Sequence, residues 1–227
     1  MLGALVGIFS IGLVVDRSVA GIGLLLPAIV ATVAVYATAR SDGRRRGLIV
    51  GAALACILTA SASFALLSSD ALRSKFRDTP GSRTLATPTT LNAARDFLPM
   101  GSGLGSFVDV YGGYERPRFV SQTYMNHAHD DVAEVILELG APAIALMTAF
   151  AIWFIWLAYR VWSSDERADA PRRAASVAIL LMAAHSVVDY PLRTSAMASI
   201  FALCCAVLLS QSQVWMTGLS FPRSRRR

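Results

Sequence analysis

Residues 124–143, YMNHAHDDVAEVILELGAPA, set two histidines and two aspartates against the start of a helical pattern in an otherwise apolar chain. Val132, Val135, Ile136 and Leu139 recur at helical spacing, and Asp131 with Glu134 has the spacing of an N-terminal capping pair. Gly140 and Pro142 then break the pattern. A short amphipathic helix is therefore predicted to start directly after His129 and to hand over to a long apolar run, Ala143–Trp162. His127 and His129 are two of the three histidines in the chain, and the third, His185, closes another apolar run. That concentration makes this stretch the first place to look for chemistry.

Working outward, the composition names the class. Apolar residues make up 55% of the chain, its mean hydropathy is +0.52, and several long runs carry no charge. These values exceed what a soluble domain of this length needs and indicate an integral membrane protein. The net charge of +6 comes from basic residues gathered in short loops and at the C-terminus. There they report topology and contact with anionic membrane lipids rather than nucleic acid. Cys56, Cys204 and Cys205 all lie inside apolar runs and read as small buried hydrophobes, so neither a disulfide framework nor a metal-thiolate site is expected.

Six apolar runs follow one another: Met1–Val15, Val19–Ala39, Gly47–Leu67, Ala143–Trp162, Ala174–Val188 and Thr194–Met216. The first is short for a span and lacks the charged start and cleavage site of a signal peptide, so it is read as a spanning helix clipped at its start. Arg40, Arg44, Arg45 and Arg46 place the second loop on the cytoplasmic side, as do Arg167, Arg172 and Arg173 for a later loop and Arg223, Arg225, Arg226 and Arg227 for the tail. The only long polar stretch then falls outside. It holds seven basic and seven acidic residues up to Asp131, and its prolines and glycines suit short helices and loops over the membrane surface. The predicted fold is thus an all-α integral membrane protein of about six transmembrane helices with one long periplasmic loop. Its parts are 1–67 (three helices), 68–131 (the loop), 132–217 (a short outer helix and three more spans) and 218–227 (the basic tail). This arrangement puts Arg17, Arg83, His129, His185 and Asp189 on one side of the membrane.

Three segments carry a family likeness: SRTLATPTTLNAARDFLPMGSGLGSF (82–107), NHAHDDVAEVILELGAPA (126–143) and HSVVDYPLR (185–193). Together they resemble the C-terminal half of the O-antigen ligase and polymerase superfamily. Those bacterial inner-membrane glycosyltransferases move a glycan from an undecaprenyl-diphosphate carrier to a lipid or glycan acceptor on the periplasmic face, and they typically have about twice as many spans. The likeness runs from about Gly12 to Leu192. It implies that the family's essential histidine corresponds to His129, with Asp130 where the family usually has Asn, Ser or Gln, and Ala143 where it usually has Gly. Two family arginines correspond to Arg83, with Thr87 in place of a common tryptophan, and to Arg17, preceded by Asp16 rather than serine.

The chemistry suits these residues. Guanidinium forks match phosphate oxygens and stay charged, so Arg17 and Arg83 are candidates to hold the diphosphate leaving group. A histidine outside a helix N-terminus is biased toward its neutral form, so His129 is the candidate base for the acceptor hydroxyl. The implied reaction is a direct displacement with inversion, without metal or other cofactor. Tyr111, Tyr124 and Asp130 are candidate substrate contacts, and His127, His185 and Asp189 candidate supports for the base. Plainer roles stand beside these. Arginines at a membrane boundary snorkel to headgroups, histidines at helix starts act as struts, and interfacial tyrosines need no ligand. The run Gly101–Gly105 has no strand before it and reads as a turn positioning Phe107 and Tyr111, not as a nucleotide loop. Two other classes remain open. His127, His129, Asp130, Asp131, His185 and Asp189 offer ligands for a divalent metal, as in a membrane metallohydrolase. A chain with fewer spans than its relatives also fits a non-enzymatic or inactive membrane subunit.

Overall fold

A computed structural model of the chain describes residues 19–39, 47, 83–117, 125–164 and 166–210. Among these residues the fold is all-helical. α1 is Val19–Thr38, α2 Arg83–Asp96, α3 Phe107–Tyr114, α4 Asp131–Leu139, α5 Ala141–Ser163, α6 Ala170–His185 and α7 Ser195–Leu209, with 3-10 turns at Arg167–Asp169 and Pro191–Arg193.

α5 is the one described helix long and apolar enough to cross a membrane. Its 23 residues rise roughly 34 Å, slightly more than a bilayer core. Ile144, Leu146, Ile152, Ile155, Trp156 and Tyr159 are all exposed along it, the surface a helix offers to lipid rather than to water. Of the other expected spans, Met1–Val15 and, apart from Gly47, Gly47–Leu67 lie outside the described residues. The apolar parts Gly23–Thr38 of α1 and Ser195–Leu209, which is α7, are shorter than a full crossing. The expected run Ala174–Val188 is helical only to His185, and α6 starts earlier, at Ala170, taking Arg172 and Arg173 into its first turn.

α6 packs against α1, α5 and α7. Leu157 and Val161 of α5 meet Ala175 and Ile179 of α6 and Leu208 of α7 in a buried cluster, with Phe150, Trp153, Phe154 and Phe201 around it. Arg173 is fully buried at one end of this bundle. It donates to the carbonyls of Val161 (3.2 Å) and Ser164 (2.7 Å) at the C-terminal end of α5. At the opposite end, α2, α3 and α4 close over a second core of Ala86, Ala93, Ala94, Phe107, Tyr111, Ala128 and Leu137. The described part of the long polar stretch therefore contains the expected short helices, but they are not merely laid over a surface: with α4 they enclose a core of their own, whose small side chains let the backbones approach closely.

The join between the two cores is a backbone lock. The last carbonyls of α4 lack intrahelical partners. Ser102 N–H reaches Leu137 O (2.9 Å), Gly103 N–H reaches Glu138 O (2.9 Å), and Ala141 N–H reaches Pro99 O (2.7 Å). Gly140 ends α4 with φ +61°, and a Cβ there would overlap Pro99 O and the Gly101 nitrogen. Pro142 in the first turn of α5 restarts the helix. The long apolar helix is thereby tied rigidly to the histidine-bearing segment.

Gly140→Ala, strained in both dihedral and contact, is expected to lower stability by about 2 kcal/mol or more. At Gly112 an added Cβ meets nothing within 4 Å, so Gly112→Ala should be neutral or stabilising. Thermal unfolding of the two variants in detergent checks the contrast.

Candidate functional site

Asp130, not Asp131, caps α4: its carboxylate accepts the Ala133 N–H at 3.0 Å, and the expected start moves by no more than this one residue. Asp131 and Glu134 occupy the first turn, where the helix dipole favours acids. Just before the cap, His129 has φ +54°, the left-handed conformation that non-glycine residues seldom adopt. Holding it there costs on the order of 1 kcal/mol, which the surroundings must offset.

Those surroundings are specific. His129 Nδ1 lies 3.1 Å from Asp189 Oδ1, and the same oxygen accepts the Tyr190 N–H at 3.0 Å. A carboxylate only accepts, so Nδ1 carries a proton, and in a neutral ring the lone pair is then on Nε2. His127 Nδ1 donates in the same manner to Glu134 Oε1 at 3.0 Å. The ring of Tyr190 sits beside both imidazoles, at centroid distances of 4.7 Å to His127 and 4.8 Å to His129. His185 Nε2 is 3.9 Å from Asp189 Oδ2. Asp189 thus stands between His129 and His185, and the C-terminal end of α6 is drawn up to the start of α4.

Beneath the histidines lies a stripe of carboxylates. Asp131, Glu134 and Glu138 occupy one face of α4 and are 6%, 1% and 1% exposed. Arg193, from the turn after Asp189, reaches Glu138 Oε2 at 2.9 Å, Glu134 Oε1 at 3.3 Å and Asp131 Oδ1 at 3.9 Å. Burial pushes the Asp131 carboxyl above its ordinary value, and the opposing pull of the Leu192 N–H and of Arg193 does not cancel it.

The structure therefore brings together four of the anticipated residues, His127, His129, His185 and Asp189. Asp130 is buried as the helix cap. Tyr111, 4% exposed, stacks on Phe107 at 5.1 Å inside the α2–α4 core, so its ring is packing. Arg83 is the first residue of α2; Arg17 and Tyr124 lie outside the described residues. Among the described residues no three His, Cys, Asp or Glu side chains converge on a point that would hold a metal ion, because the acids are engaged with the histidines, with Arg193 or with backbone N–H groups. Tyr190 and Arg193 were not singled out from sequence. A signal for Arg193 did exist: it is the only arginine or lysine between Arg173 and Arg223, and the acids of α4 have no basic partner on their own helix.

The family model for O-antigen ligases matches residues 4–148, more than half of the chain. The chain belongs to this family. Its members are membrane proteins with glycosyltransferase-like ligase activity, acting on a lipid-linked glycan and an acceptor. The matched region includes Arg17, Arg83, both histidines and the whole of α4, whereas His185, Asp189, Tyr190 and Arg193 lie beyond it. No curated protein and no solved structure matches the chain.

A carboxyl held above its unfolded value favours the folded state while protonated and loses that advantage as pH rises from 3.8 through the raised value. Asp131→Asn carries no such cost. Its stability relative to the unmodified protein should therefore climb across that window and level off above it, as read by thermal unfolding at a series of pH values.

Proposed function

We propose that this member of the O-antigen ligase family transfers a glycan from undecaprenyl diphosphate to an acceptor hydroxyl at the periplasmic face of the bacterial inner membrane, with His129 as general base. The observation that carries this reading is the His129–Asp189 pair at 3.1 Å, in an imidazole held in a left-handed turn with its Nε2 directed away from the carboxylate. Such a pair selects the tautomer and steadies the imidazolium that forms when the base takes a proton. Glu134 supports the same reading, since this buried acid anchors the His127 ring and the Ala128 N–H immediately before the base.

The step balances simply. Nε2 of His129 accepts the proton of the acceptor hydroxyl as its oxygen attacks the anomeric carbon. The bond from that carbon to the diphosphate oxygen breaks on the opposite side, and undecaprenyl diphosphate leaves with its charge held by Arg17 and Arg83. One displacement inverts the anomeric configuration. Family membership supports a lipid-linked donor, and the apolar face of α5 supports the bilayer as the place where that donor is met.

Loss of a general base typically removes about 10²–10⁴ in rate, so His129→Gln should abolish transfer while the protein remains folded and inserted. His127→Ala should reduce transfer less, and Asp189→Asn should slow it by on the order of 10²-fold through the wrong tautomer. The assay is transfer by purified protein supplied with undecaprenyl-diphosphate glycan, with lipid A core, growing glycan and a serine- or threonine-containing peptide as alternative acceptors. Full activity of His129→Gln would overturn the mechanism. A folded protein inert toward all three acceptors would favour a non-enzymatic subunit instead.

A further inference from the structure

We propose that Arg193 is a positioning residue for His129, acting through Glu134; the proposal rests on the reading of His129 as the base. The geometry behind it is a hub. Each buried carboxylate of α4 divides its two oxygens between Arg193 and a backbone N–H of a different segment. Asp131 turns Oδ1 toward Arg193 and accepts the Leu192 N–H on Oδ2 at 3.1 Å. Glu134 turns Oε1 toward Arg193 and accepts the Ala128 N–H on Oε2 at 2.8 Å. Glu138 binds Arg193 through Oε2 and accepts the Gly105 N–H on Oε1 at 3.0 Å. One guanidinium thereby fixes the turn before α7, the histidine loop and the glycine-rich loop with respect to α4.

The consequence for His129 follows from the chain. Ala128 is the residue between the two histidines, and its amide is held by an acid that also anchors the ring of His127. Securing that peptide on one side, with Asp189 securing the imidazole on the other, leaves His129 little freedom to relax out of φ +54°. Three acids on one buried helix face repel one another unless a cation stands among them. Without Arg193 they protonate or turn to water, and Glu134 lets go of Ala128. A lysine keeps a charge there but lacks the planar fork that serves several carboxylates at once.

The test uses the full chain in nanodiscs, comparing Arg193→Lys with the unmodified protein by amide hydrogen exchange and by transfer kinetics. Exchange at Ala128 and Gly105 should rise by about tenfold or more while α5–α7 keep their protection. kcat should fall by on the order of 10- to 100-fold with KM for the donor within about twofold, because a misaimed base costs rate rather than binding. Exchange that is unchanged, or raised uniformly through α5–α7, would overturn the proposal, as would an unchanged kcat. Should Arg193→Lys not fold, Glu134→Gln, which removes one acid and leaves Arg193 in place, is read in the same two ways: it should loosen Ala128 but not Gly105, and no loosening at Ala128 would equally overturn the proposal. Exchange needs no turnover, so an inert unmodified protein with the selective exchange pattern would count against the glycan-transfer reading and for Arg193 as the anchor of the loop.

Discussion

Three buried carboxylates gathered around one guanidinium are the constraint on which the rest of this structure depends. Isolated charges at such burial are costly, and they persist only when paired and fully hydrogen-bonded. Glu134 and Glu138 meet that condition by sharing Arg193 and by each taking a backbone N–H from another segment, whereas Asp131 takes the Leu192 N–H on Oδ2 and turns Oδ1 toward Arg193 at 3.9 Å, beyond hydrogen-bond reach. An arrangement of that kind is a poor source of net stability compared with apolar packing, but it is specific. It determines which loop lies against which helix face, and it does so next to the two histidines. The α2–α4 unit otherwise packs Ala86, Ala93, Ala94 and Ala128 around Phe107, Tyr111 and Leu137, apolar contacts that are less directional than a shared ion pair.

Around this hub the labour divides by polarity. The bundle of α1, α5, α6 and α7 presents apolar surface and buries aromatic and aliphatic side chains, with Arg173 closing the end of α5. The α2–α4 unit carries the two histidines and the acid stripe, and the end of α6 with the turn after it supplies His185, Asp189 and Arg193. The junction at Gly140 and Pro99 couples the two, so that the helix able to cross the membrane also determines the height of the histidine loop. For a reaction between a lipid-linked glycan and an acceptor, such coupling serves a plain need. In the proposed reaction the base would stand at a fixed distance from the membrane in which the donor is anchored.

Much of this was legible in the residues themselves, for local reasons. The period of Val132, Val135, Ile136 and Leu139, bounded by acids and by Gly140, gives α4 almost to the residue, and the uninterrupted apolar run after Pro142 gives α5. His129 and Asp189 were both marked, because rare polar residues in apolar surroundings stand out. What the sequence did not disclose depends on distance along the chain. Arg193 pairs with Glu138 across 55 positions, and no local pattern announces that pairing. Tyr111 looked available for a sugar, yet the turn of α3 directs it inward onto Phe107, a matter of side-chain direction that an eight-residue helix does not reveal by periodicity. Asp130 caps rather than its neighbour because its backbone is extended and its carboxylate meets the Ala133 N–H, a difference that two identical side chains do not announce. The start of α6 lies ahead of the apolar run because Arg172 and Arg173, read as loop residues, sit in its first turn and find partners just outside it, Arg172 with Asp169 at 2.9 Å and Arg173 with the Ser164 carbonyl at 2.7 Å.

The central claim is that His129 is held with Nδ1 protonated toward Asp189 and Nε2 left as the base. Nitrogen-15 spectroscopy of protein labelled at histidine, in nanodiscs at a pH where the ring is neutral, tests it most directly. The signals of His129, identified by their absence from His129→Gln, should show a protonated Nδ1 and an unprotonated Nε2, and the preference should vanish in Asp189→Asn. An Nε2-protonated ring, or a tautomer indifferent to Asp189, would contradict the account.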